Sequence, residues 1–157
     1  SKIHGTGIVA KVKIKKKINV IQYIGEKISK KEGDRRSSER IKMFLNKKNE
    51  GSVYIFELNK KFDIDGTPLY NKARYINHSC DPNCEVDIID NEIWIISIKN
   101  IKKNEELTYD YGYPFDKDDY KDHPCKCGSK KCIEYIISQD DYNKYEKHLA
   151  KVIKKLK

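Results

Sequence analysis

Hydrophobic positions fall in short runs along most of this chain. The runs are rich in valine, isoleucine and tyrosine, and glycine, asparagine, aspartate or lysine separates them, as turns separate strands. They predict strands at residues 7–12, 18–24, 54–58, 62–64, 85–89 and 93–98. The pattern therefore predicts a mainly β protein built from short strands.

Two stretches instead predict helices. Ser29 and Glu32 have the Ser-x-x-Glu spacing of a capping box, which predicts a helix ending near Asn46, although Gly33 weakens it. Near the C-terminus, Ser138 can cap a second helix. Its apolar positions recur at helical spacing, at Tyr142, Tyr145, Leu149, Val152 and Leu156. Acidic residues lead this helix and lysines follow, and we expect its apolar face to pack on the domain.

The length of the chain limits its organisation. A chain of 157 residues can bury a substantial core in one domain but leaves little room for a second. The sequence has no apolar run near the ~20 residues that cross a bilayer, and its first residues do not open a signal peptide. We therefore expect an intracellular single-domain protein, or one trimmed from a longer chain, with no membrane partner.

Charge is distributed unevenly along the chain. The formal net charge is +9, with +10 on residues 1–50, +1 on 51–80, −7 on 81–124 and +5 on 125–157. The acidic stretch could dock a cationic peptide, although both charged blocks could also be solvated faces. The basic block lacks the interleaved aromatic residues of a nucleic-acid stacking platform, so direct nucleic-acid binding is not expected.

Three of the five cysteines lie close together near the C-terminus, at Cys125, Cys127 and Cys132. This spacing suits a turn wrapped around a tetrahedral metal ion, and three thiols need a fourth ligand. Cys80 and Cys84 both qualify, and spacing does not choose between them. Disulfides are the alternative, but an odd cysteine count without a secretion signal favours a reducing compartment and zinc.

Two further segments concentrate polar chemistry. Residues 74–84 are dense in asparagine, histidine, serine and aspartate, which predicts a tight loop that carries a site rather than a strand. Residues 106–113 place Tyr109, Tyr111 and Tyr113 at alternate positions, which would share one face of a strand. For an isolated stripe of this kind, an aromatic core face is the ordinary interpretation.

Five short motifs follow one another along the chain. They are His4-Gly-Thr-Gly-Ile-Val-Ala10, Tyr23-Ile-Gly-Glu26, Asn77-His-Ser-Cys80, Glu106-Leu-Thr-Tyr-Asp-Tyr-Gly112 and Cys125-x-Cys-x4-Cys132. Each is weak alone, but in this order and at these intervals they resemble the SET-domain protein lysine methyltransferases over nearly the whole chain. The cysteine tail is similar to the family's post-SET segment. No cysteine-rich pre-SET module precedes Gly5, as in compact stand-alone members that include bacterial ones.

The resemblance implies a fold. This is the SET-domain β-clip, mainly β with a few helices, in which small curved sheets surround a pseudoknot that threads the Asn-His loop with the Tyr-Asp-Tyr segment. It divides the chain into a SET domain at 1–116, a post-SET zinc-binding segment at 117–137 and a C-terminal amphipathic helix at 138–157. That helix would follow the zinc-bound tail.

The resemblance also implies an activity. The protein would be an S-adenosylmethionine-dependent lysine methyltransferase acting on a basic protein, with histone tails as the leading acceptor. A ribosomal or DNA-associated protein is an alternative acceptor, and a non-catalytic zinc-stabilised peptide-binding module is an alternative function. The implied location is the nucleus or chromatin in a eukaryote or a host cell, and otherwise the cytoplasm.

Catalytic positions follow from the same resemblance. Tyr111 matches the family's catalytic tyrosine, Tyr109 the position that tunes the product, and Tyr54 a wall of the lysine channel. A hydroxyl at Tyr109 fills the space in which a methylated amine would turn for another round, so we expect mainly monomethylation. Ile133 or Tyr135 would form an apolar lid.

Ligand positions follow as well. The positions that match donor contacts are Gly5, Thr6, Gly7, Tyr23, Asn77, His78 and Tyr111, with the glycine backbone along the donor and the Asn-His pair at its adenine and amino-acid portions. The zinc ligands of the family match Cys80, Cys125, Cys127 and Cys132. This leaves Cys84 as the spare thiol. Glu26 and Arg74 are expected to have structural roles.

Overall fold

The structure is a computed structural model that describes residues 1–47 and 54–156, with the backbone alone for 44–47, 155 and 156. Its elements are short. They are β1 (Asn19–Tyr23), β2 (Glu26–Ser29), α1 (Lys30–Lys47), β3 (Ile55–Glu57), β4 (Phe62–Asp65), β5 (Asn77–His78), β6 (Cys84–Ile89), β7 (Glu92–Ser97), β8 (Thr108–Tyr109) and α2 (Tyr142–Leu156). Single 3-10 turns occur at Lys72–Tyr75, Tyr120–Asp122 and Gln139–Asp141.

The strands form three small sheets among the described residues, with strand orders β1-β7-β6, β2-β4-β3 and β5-β8. Asp90 and Asn91 join β6 to β7 with φ of 50° and 63°, the positive values that a two-residue hairpin turn requires. Strands β5 and β8 are parallel. The predicted class, mainly β with a few helices, is confirmed.

The chain divides into two compact units. One comprises residues 19–75 and 86–96 and holds α1 and most of the two three-stranded sheets. The other comprises residues 1–18, 76–85 and 97–157 and holds β5, β8, α2 and all five cysteines. Within the described residues, neither helix has the length and apolar character that crossing a bilayer would demand.

Helix α1 begins where its capping residue predicts. The Ser29 Oγ accepts a hydrogen bond from the Glu32 backbone N–H at 3.3 Å. The Glu32 carboxylate binds the guanidinium groups of Arg35 and Arg36, both at 2.7 Å, instead of reaching back to the cap. Arg36 also binds Glu26 at 2.7 Å, so Glu26 has the structural role expected of it.

Asp65 holds α1 against β4. Its buried carboxylate accepts hydrogen bonds from Arg36 at 2.8 Å, from Arg40 at 3.1 Å and from the Thr67 hydroxyl at 2.5 Å. Burial opposes ionisation, but the bonds from Thr67 and Arg36 outweigh it and lower the pKa of Asp65 to about 2. The ionised carboxylate therefore stabilises the packing of α1.

The bonds of Arg36 and Arg40 to Asp65 predict that acid lowers the free energy of unfolding. An aspartate in an unfolded chain has a pKa near ~3.9, so the stabilisation from Asp65 is complete above about pH 4 and is lost as the pH falls through about 2. The free energy of unfolding of Asp65→Asn should therefore fall less than that of the wild type between about pH 4.5 and 2.5, measured by urea denaturation. Asp118→Asn, which changes an exposed carboxylate, should follow the wild type. Parallel curves for all three proteins would contradict the prediction.

One predicted strand is absent, and two observed strands were not predicted. Residues 7–12 form no strand and contribute only an isolated bridge from Val9 to Glu106, because no continuous partner pairs with them. Strand β2 was not predicted. Asn77 and His78, predicted in a loop, form β5, because β8 supplies a partner that is remote in sequence.

Helix α2 confirms the predicted C-terminal helix. Ser138 Oγ accepts from the Asp140 N–H at 3.4 Å and caps the 3-10 turn that leads into α2. Tyr145 is buried with Tyr120 and Ile137, and Tyr142 and Leu149 pack against this cluster. Val152 is 39% exposed, so the apolar face is covered only in its first turns. The predicted side-chain position of Leu156 and residue 157 lie outside the described part.

Candidate functional site

Strands β5 and β8 bring the two polar motifs together. Asn77 is opposite Thr108 and His78 is opposite Tyr109, and the Ser79 N–H donates to the Tyr109 carbonyl at 3.1 Å. All of these residues are buried. Parallel strands need a long connection, so only the folded chain reveals this pairing.

Asn83 extends the pairing with its side chain. Its Oδ1 accepts from the Thr108 N–H at 2.9 Å, and its Nδ2 donates to the Glu106 carbonyl at 2.8 Å. The buried amide thus satisfies two backbone groups at the start of β8. Asn83 lies in the polar segment 74–84, but the sequence pattern predicted no role for it.

Asn77 anchors the glycine loop near the N-terminus. Its Nδ2 lies 3.3 Å from the His4 carbonyl, 3.2 Å from the Thr6 carbonyl and 2.7 Å from Glu106 Oε1. Gly5 has φ of 36° and open space where a side chain would project, while a Cβ on Gly7 would strike Glu106. The loop is therefore held from one side and leaves its Gly5 backbone open to a ligand.

His78 lies between the tyrosine motif and the cysteines. Its Nδ1 accepts a hydrogen bond from the Tyr111 N–H at 3.2 Å, so the proton of the neutral ring is on Nε2. That Nε2 faces the Cys80 sulfur at 3.7 Å. Both ring nitrogens are thus engaged within the protein, and the side chain is poorly placed to serve as a general base.

The three tyrosines form a contiguous aromatic surface. The ring centroids of Tyr109 and Tyr111 are 5.0 Å apart, and those of Tyr111 and Tyr113 are 6.1 Å apart. Strand β8 ends at Tyr109, and Gly112 adopts φ of 70°, so the stripe is not one strand face as predicted. The Tyr111 hydroxyl donates to the Ile76 carbonyl at 3.1 Å, which sets the orientation of its ring.

Four thiols converge in the same unit. The sulfur atoms of Cys80, Cys125, Cys127 and Cys132 all lie within 4.8 Å of one another. Zinc bound to four sulfurs at about 2.3 Å places the sulfurs roughly 3.8 Å apart. The sulfurs of Cys80 and Cys125 are 3.7 Å apart, so the donor set fits such an ion.

The local chain builds this pocket. The Cys125 N–H donates to the Glu134 carbonyl at 2.8 Å, and the Glu134 N–H donates to the Cys132 sulfur at 3.4 Å. The contact with Cys125 lowers the pKa of the Cys80 thiol and raises that of Cys125, so a thiolate is favoured at Cys80. On binding a metal, these thiols would release their protons to solvent.

Cys84 is separate from this cluster. It is fully buried, and burial raises the pKa of its thiol to about 12. Among the described residues it belongs to no group of candidate metal ligands. The tertiary structure thus makes the choice between Cys80 and Cys84 that spacing left open.

Tyr23 and Tyr54 lie in the other unit. The buried Tyr23 hydroxyl donates to the Tyr54 carbonyl at 2.9 Å, its ring is 4.4 Å from that of Phe56, and burial raises its pKa. The Arg74 guanidinium stacks over the Tyr54 ring at 4.0 Å and donates to the Thr67 carbonyl. Arg74 therefore has the expected structural role, while the ligand roles of Tyr23 and Tyr54 stay predictions.

The segment before α2 is bound to the site by contacts that sequence reasoning missed. The Gln139 N–H donates to Asp110 Oδ2 at 2.8 Å, and the Gln139 side chain donates to the Cys80 carbonyl at 3.2 Å. The Ser138 N–H donates to the Tyr113 carbonyl at 2.7 Å. No local sequence pattern predicts these contacts. Ile133 and Tyr135, predicted as a lid, pack against the aromatic cluster around Tyr120, Ile137 and Tyr145.

Comparison with known proteins adds a family and relatives. A family model described as the SET domain matches residues 5–112. Over 140 residues, 87% of this chain, the sequence is 40% identical to histone-lysine N-methyltransferase 2D of Homo sapiens. Over the same length it is 38% identical to the histone-lysine N-methyltransferase, H3 lysine-4 specific, of Saccharomyces cerevisiae and 36% identical to the histone-lysine N-methyltransferase trithorax of Drosophila virilis. The chain spans 2%, 12% and 3% of these relatives' lengths, respectively.

Proposed function

The chain belongs to the SET-domain family, and on that premise we propose that it is an S-adenosylmethionine-dependent protein lysine methyltransferase whose acceptor is a histone tail. One observation carries the proposal: the chain is 36–40% identical, over 140 residues, to relatives that are named histone-lysine N-methyltransferases. The paired β5 and β8, which join the Asn-His and Tyr-Asp-Tyr motifs, support it from the side of geometry.

The glycine loop is the proposed donor site. S-adenosylmethionine supplies a methyl group that is already electrophilic because a sulfonium carries it. Gly5, Thr6 and Gly7 would hold it with backbone groups, and the Asn77 amide would keep that loop in place, since it binds the His4 and Thr6 carbonyls. The open space beside Gly5 suits close approach of a ligand to the backbone. His78, Tyr23 and Tyr111 complete the proposed contacts on the family resemblance.

The proposed reaction needs the acceptor amine to be aligned with the methyl group and water to be excluded, and it needs no nucleophilic residue of the protein. Lysine has a pKa of ~10.4, and a narrow apolar channel and the nearby sulfonium would both disfavour a second cation, so the amine can lose its proton to water. The Tyr111 hydroxyl donates a hydrogen bond to the Ile76 carbonyl, so its oxygen would accept weak C–H···O contacts from the methyl group. The proposed catalytic residues are Tyr111, Tyr109 and, as a channel wall, Tyr54.

Tyr109 predicts the number of methyl groups added. Its buried side chain packs beside Tyr111, where a hydroxyl would occupy the space that a methylated amine needs for another transfer. We expect mainly monomethyl product from the wild type, and di- and trimethyl product from Tyr109→Phe at similar total turnover. Mass spectrometry of a peptide substrate checks this. Equal trimethylation by both proteins would contradict it.

The proposed acceptor is a basic tail. The β6–β7 hairpin exposes Glu85, Asp87, Asp90 and Glu92, and the segment before α2 exposes further acidic residues. Such surfaces favour a Lys/Arg-rich peptide. Since the yeast relative is named for lysine 4 of histone H3, the H3 tail is the first acceptor to test, with the nucleus as the proposed location.

A labelled-methyl assay tests the proposal directly. The chain, S-adenosylmethionine and an H3 tail peptide should yield labelled peptide, and the same peptide with arginine at its fourth position should yield none. Transfer to both peptides would remove lysine 4 as the target, and transfer to ribosomal proteins alone would favour the non-histone alternative. Donor binding without transfer to any basic protein would favour a non-catalytic module.

Zinc completes the proposal. Cys80, Cys125, Cys127 and Cys132 would hold a structural ion whose four ligands are all sulfurs, a set that zinc accepts readily. The ion would join the proposed post-SET segment at residues 117–137 to the loop after β5. We propose 1–116 as the SET domain and 138–157 as a C-terminal helical extension.

A further inference from the structure

The phenol of Tyr142 is buried and has no partner of ordinary hydrogen-bond geometry among the described residues. In the described part of the chain, its hydroxyl is one of few buried side-chain polar atoms with no hydrogen-bond partner. Tyr142 is the first residue of α2, and its ring packs against the aromatic cluster around Tyr120 and Tyr145. A buried donor that lacks a partner costs free energy, so its place calls for an acceptor.

Cys80 offers a sulfur acceptor in the same cavity as this phenol. Tyr142 and Cys80 line the same cavity, whose volume is about 320 Å³. The turn that precedes α2 holds the two together, because the Gln139 side chain donates to the Cys80 carbonyl at 3.2 Å. The Asp81 carboxylate, another acceptor in that cavity, is already paired with Lys99 at 2.6 Å and Lys131 at 3.2 Å.

The chemistry of sulfur supplies the missing partner. A thiol sulfur is a weak acceptor, whereas a metal-bound thiolate carries negative charge and accepts strong hydrogen bonds. His78 Nε2 already faces the Cys80 sulfur from one side at 3.7 Å. A phenol from α2 would add a second donor to the same atom.

We propose that the Tyr142 hydroxyl donates a hydrogen bond to the metal-bound sulfur of Cys80, which makes Tyr142 a positioning residue of the metal centre. The inference rests on the metal site of the proposed function. It couples α2 to the metal: whatever Tyr142 adds to metal affinity, the metal adds equally to the docking of α2, because linkage is reciprocal. The C-terminal helix is then held most firmly in the metal-loaded protein.

Metal affinity tests the proposal. Wild type, Tyr142→Phe and Tyr145→Phe are loaded with zinc, and affinity is measured by competition with a chromophoric chelator. Tyr142→Phe should bind zinc roughly 10-fold more weakly, the lower end of what partners of metal ligands contribute. Tyr145→Phe removes a hydroxyl from the same helix and cluster and should stay within about 2-fold of the wild type, since Tyr145 is not among the residues that line the cavity with Cys80.

Two further readouts separate a role at the metal from a role in packing. With cobalt in place of zinc, the sulfur-to-metal absorption band should shift in Tyr142→Phe but not in Tyr145→Phe. In the wild type, removing the metal should speed amide hydrogen exchange across α2, and this holds whether or not a variant folds poorly. In Tyr142→Phe the two states should exchange more alike.

The possible outcomes are distinct. Equal affinities and equal cobalt spectra for all three proteins would overturn the role of Tyr142 while leaving the metal site intact. A wild-type chain that binds neither zinc nor cobalt would overturn the metal site and this inference with it. Neither result depends on methyl transfer, so the proposed activity is judged separately.

Discussion

Tyr111→Phe is expected to lower the turnover of methyl transfer by roughly 100-fold, the effect typical of one preorganised polar group at a reacting centre. The substitution removes the hydroxyl that donates to the Ile76 carbonyl at 3.1 Å and keeps the ring. The rings of Tyr109 and Tyr113 can therefore still pack on either side of it. The loss should appear mainly in kcat and less in donor affinity, because the glycine loop is untouched and the Tyr111 ring, a proposed donor contact, is kept.

The measurement combines a labelled-methyl assay with calorimetry of donor binding. Tyr70→Phe is the matched control, because Tyr70 is 60% exposed and holds none of the assigned roles. Its turnover should equal that of the wild type. Wild-type turnover in Tyr111→Phe would remove Tyr111 from the catalytic site. A lowered melting temperature in that variant would show instead that the bond to Ile76 chiefly supports the fold.

Cys125→Ala is expected to empty the metal site, whereas Cys84→Ala should leave it loaded. Structural zinc binds zinc-finger peptides with about 10–16 kcal/mol, and loss of one of the four ligands should weaken binding enough for the ion to be lost during purification. Cys125 belongs to the four-sulfur cluster, and Cys84 does not. Both changes remove one thiol, which makes the pair a direct comparison.

Zinc per chain, measured on purified protein, should be about one in the wild type and in Cys84→Ala, and near zero in Cys125→Ala. A chelator should abolish methyl transfer before far-ultraviolet circular dichroism shows loss of the strands, because the described residues within 19–75 and 86–96 contribute none of the four thiols. Full turnover in a strong chelator would contradict the role of the metal. Equal zinc loss in both variants would contradict the ligand assignment.

Local sequence patterns predicted the secondary structure best where interactions between nearby residues determine it. The hairpin of β6 and β7 and both helices were predictable because turn residues, capping residues and apolar spacing act within a few positions. The local patterns failed at residues 7–12 and at Asn77, where strand pairing depends on a partner far along the chain. Propensity cannot register a neighbour that only folding supplies.

The candidate site shows the same division. The order of the motifs placed Asn77, His78, Tyr111 and four of the cysteines in one family pattern before any geometry was known. Their partners were not predictable: Asn83 bracing β8, the His78 ring between Tyr111 and Cys80, and Gln139 on the Cys80 carbonyl. The contacts of Asn83, of Tyr111 with His78 and of Gln139 join residues at least 25 positions apart. The contact of His78 with Cys80 is local in sequence, but the bond from Tyr111 helps to set the orientation of the ring.

Residue types and their spacing thus established the family, the need for a fourth thiol and the tyrosines available for chemistry. Folding then brought the Cys80 sulfur, which the family resemblance implied as a ligand, to the other three thiols, turned His78 toward that sulfur and left the Tyr142 phenol buried against the cysteine site. The reason is physical: composition and short spacing record which groups a chain can offer, whereas ligand choice, hydrogen-bond direction and burial depend on distances that long-range packing sets.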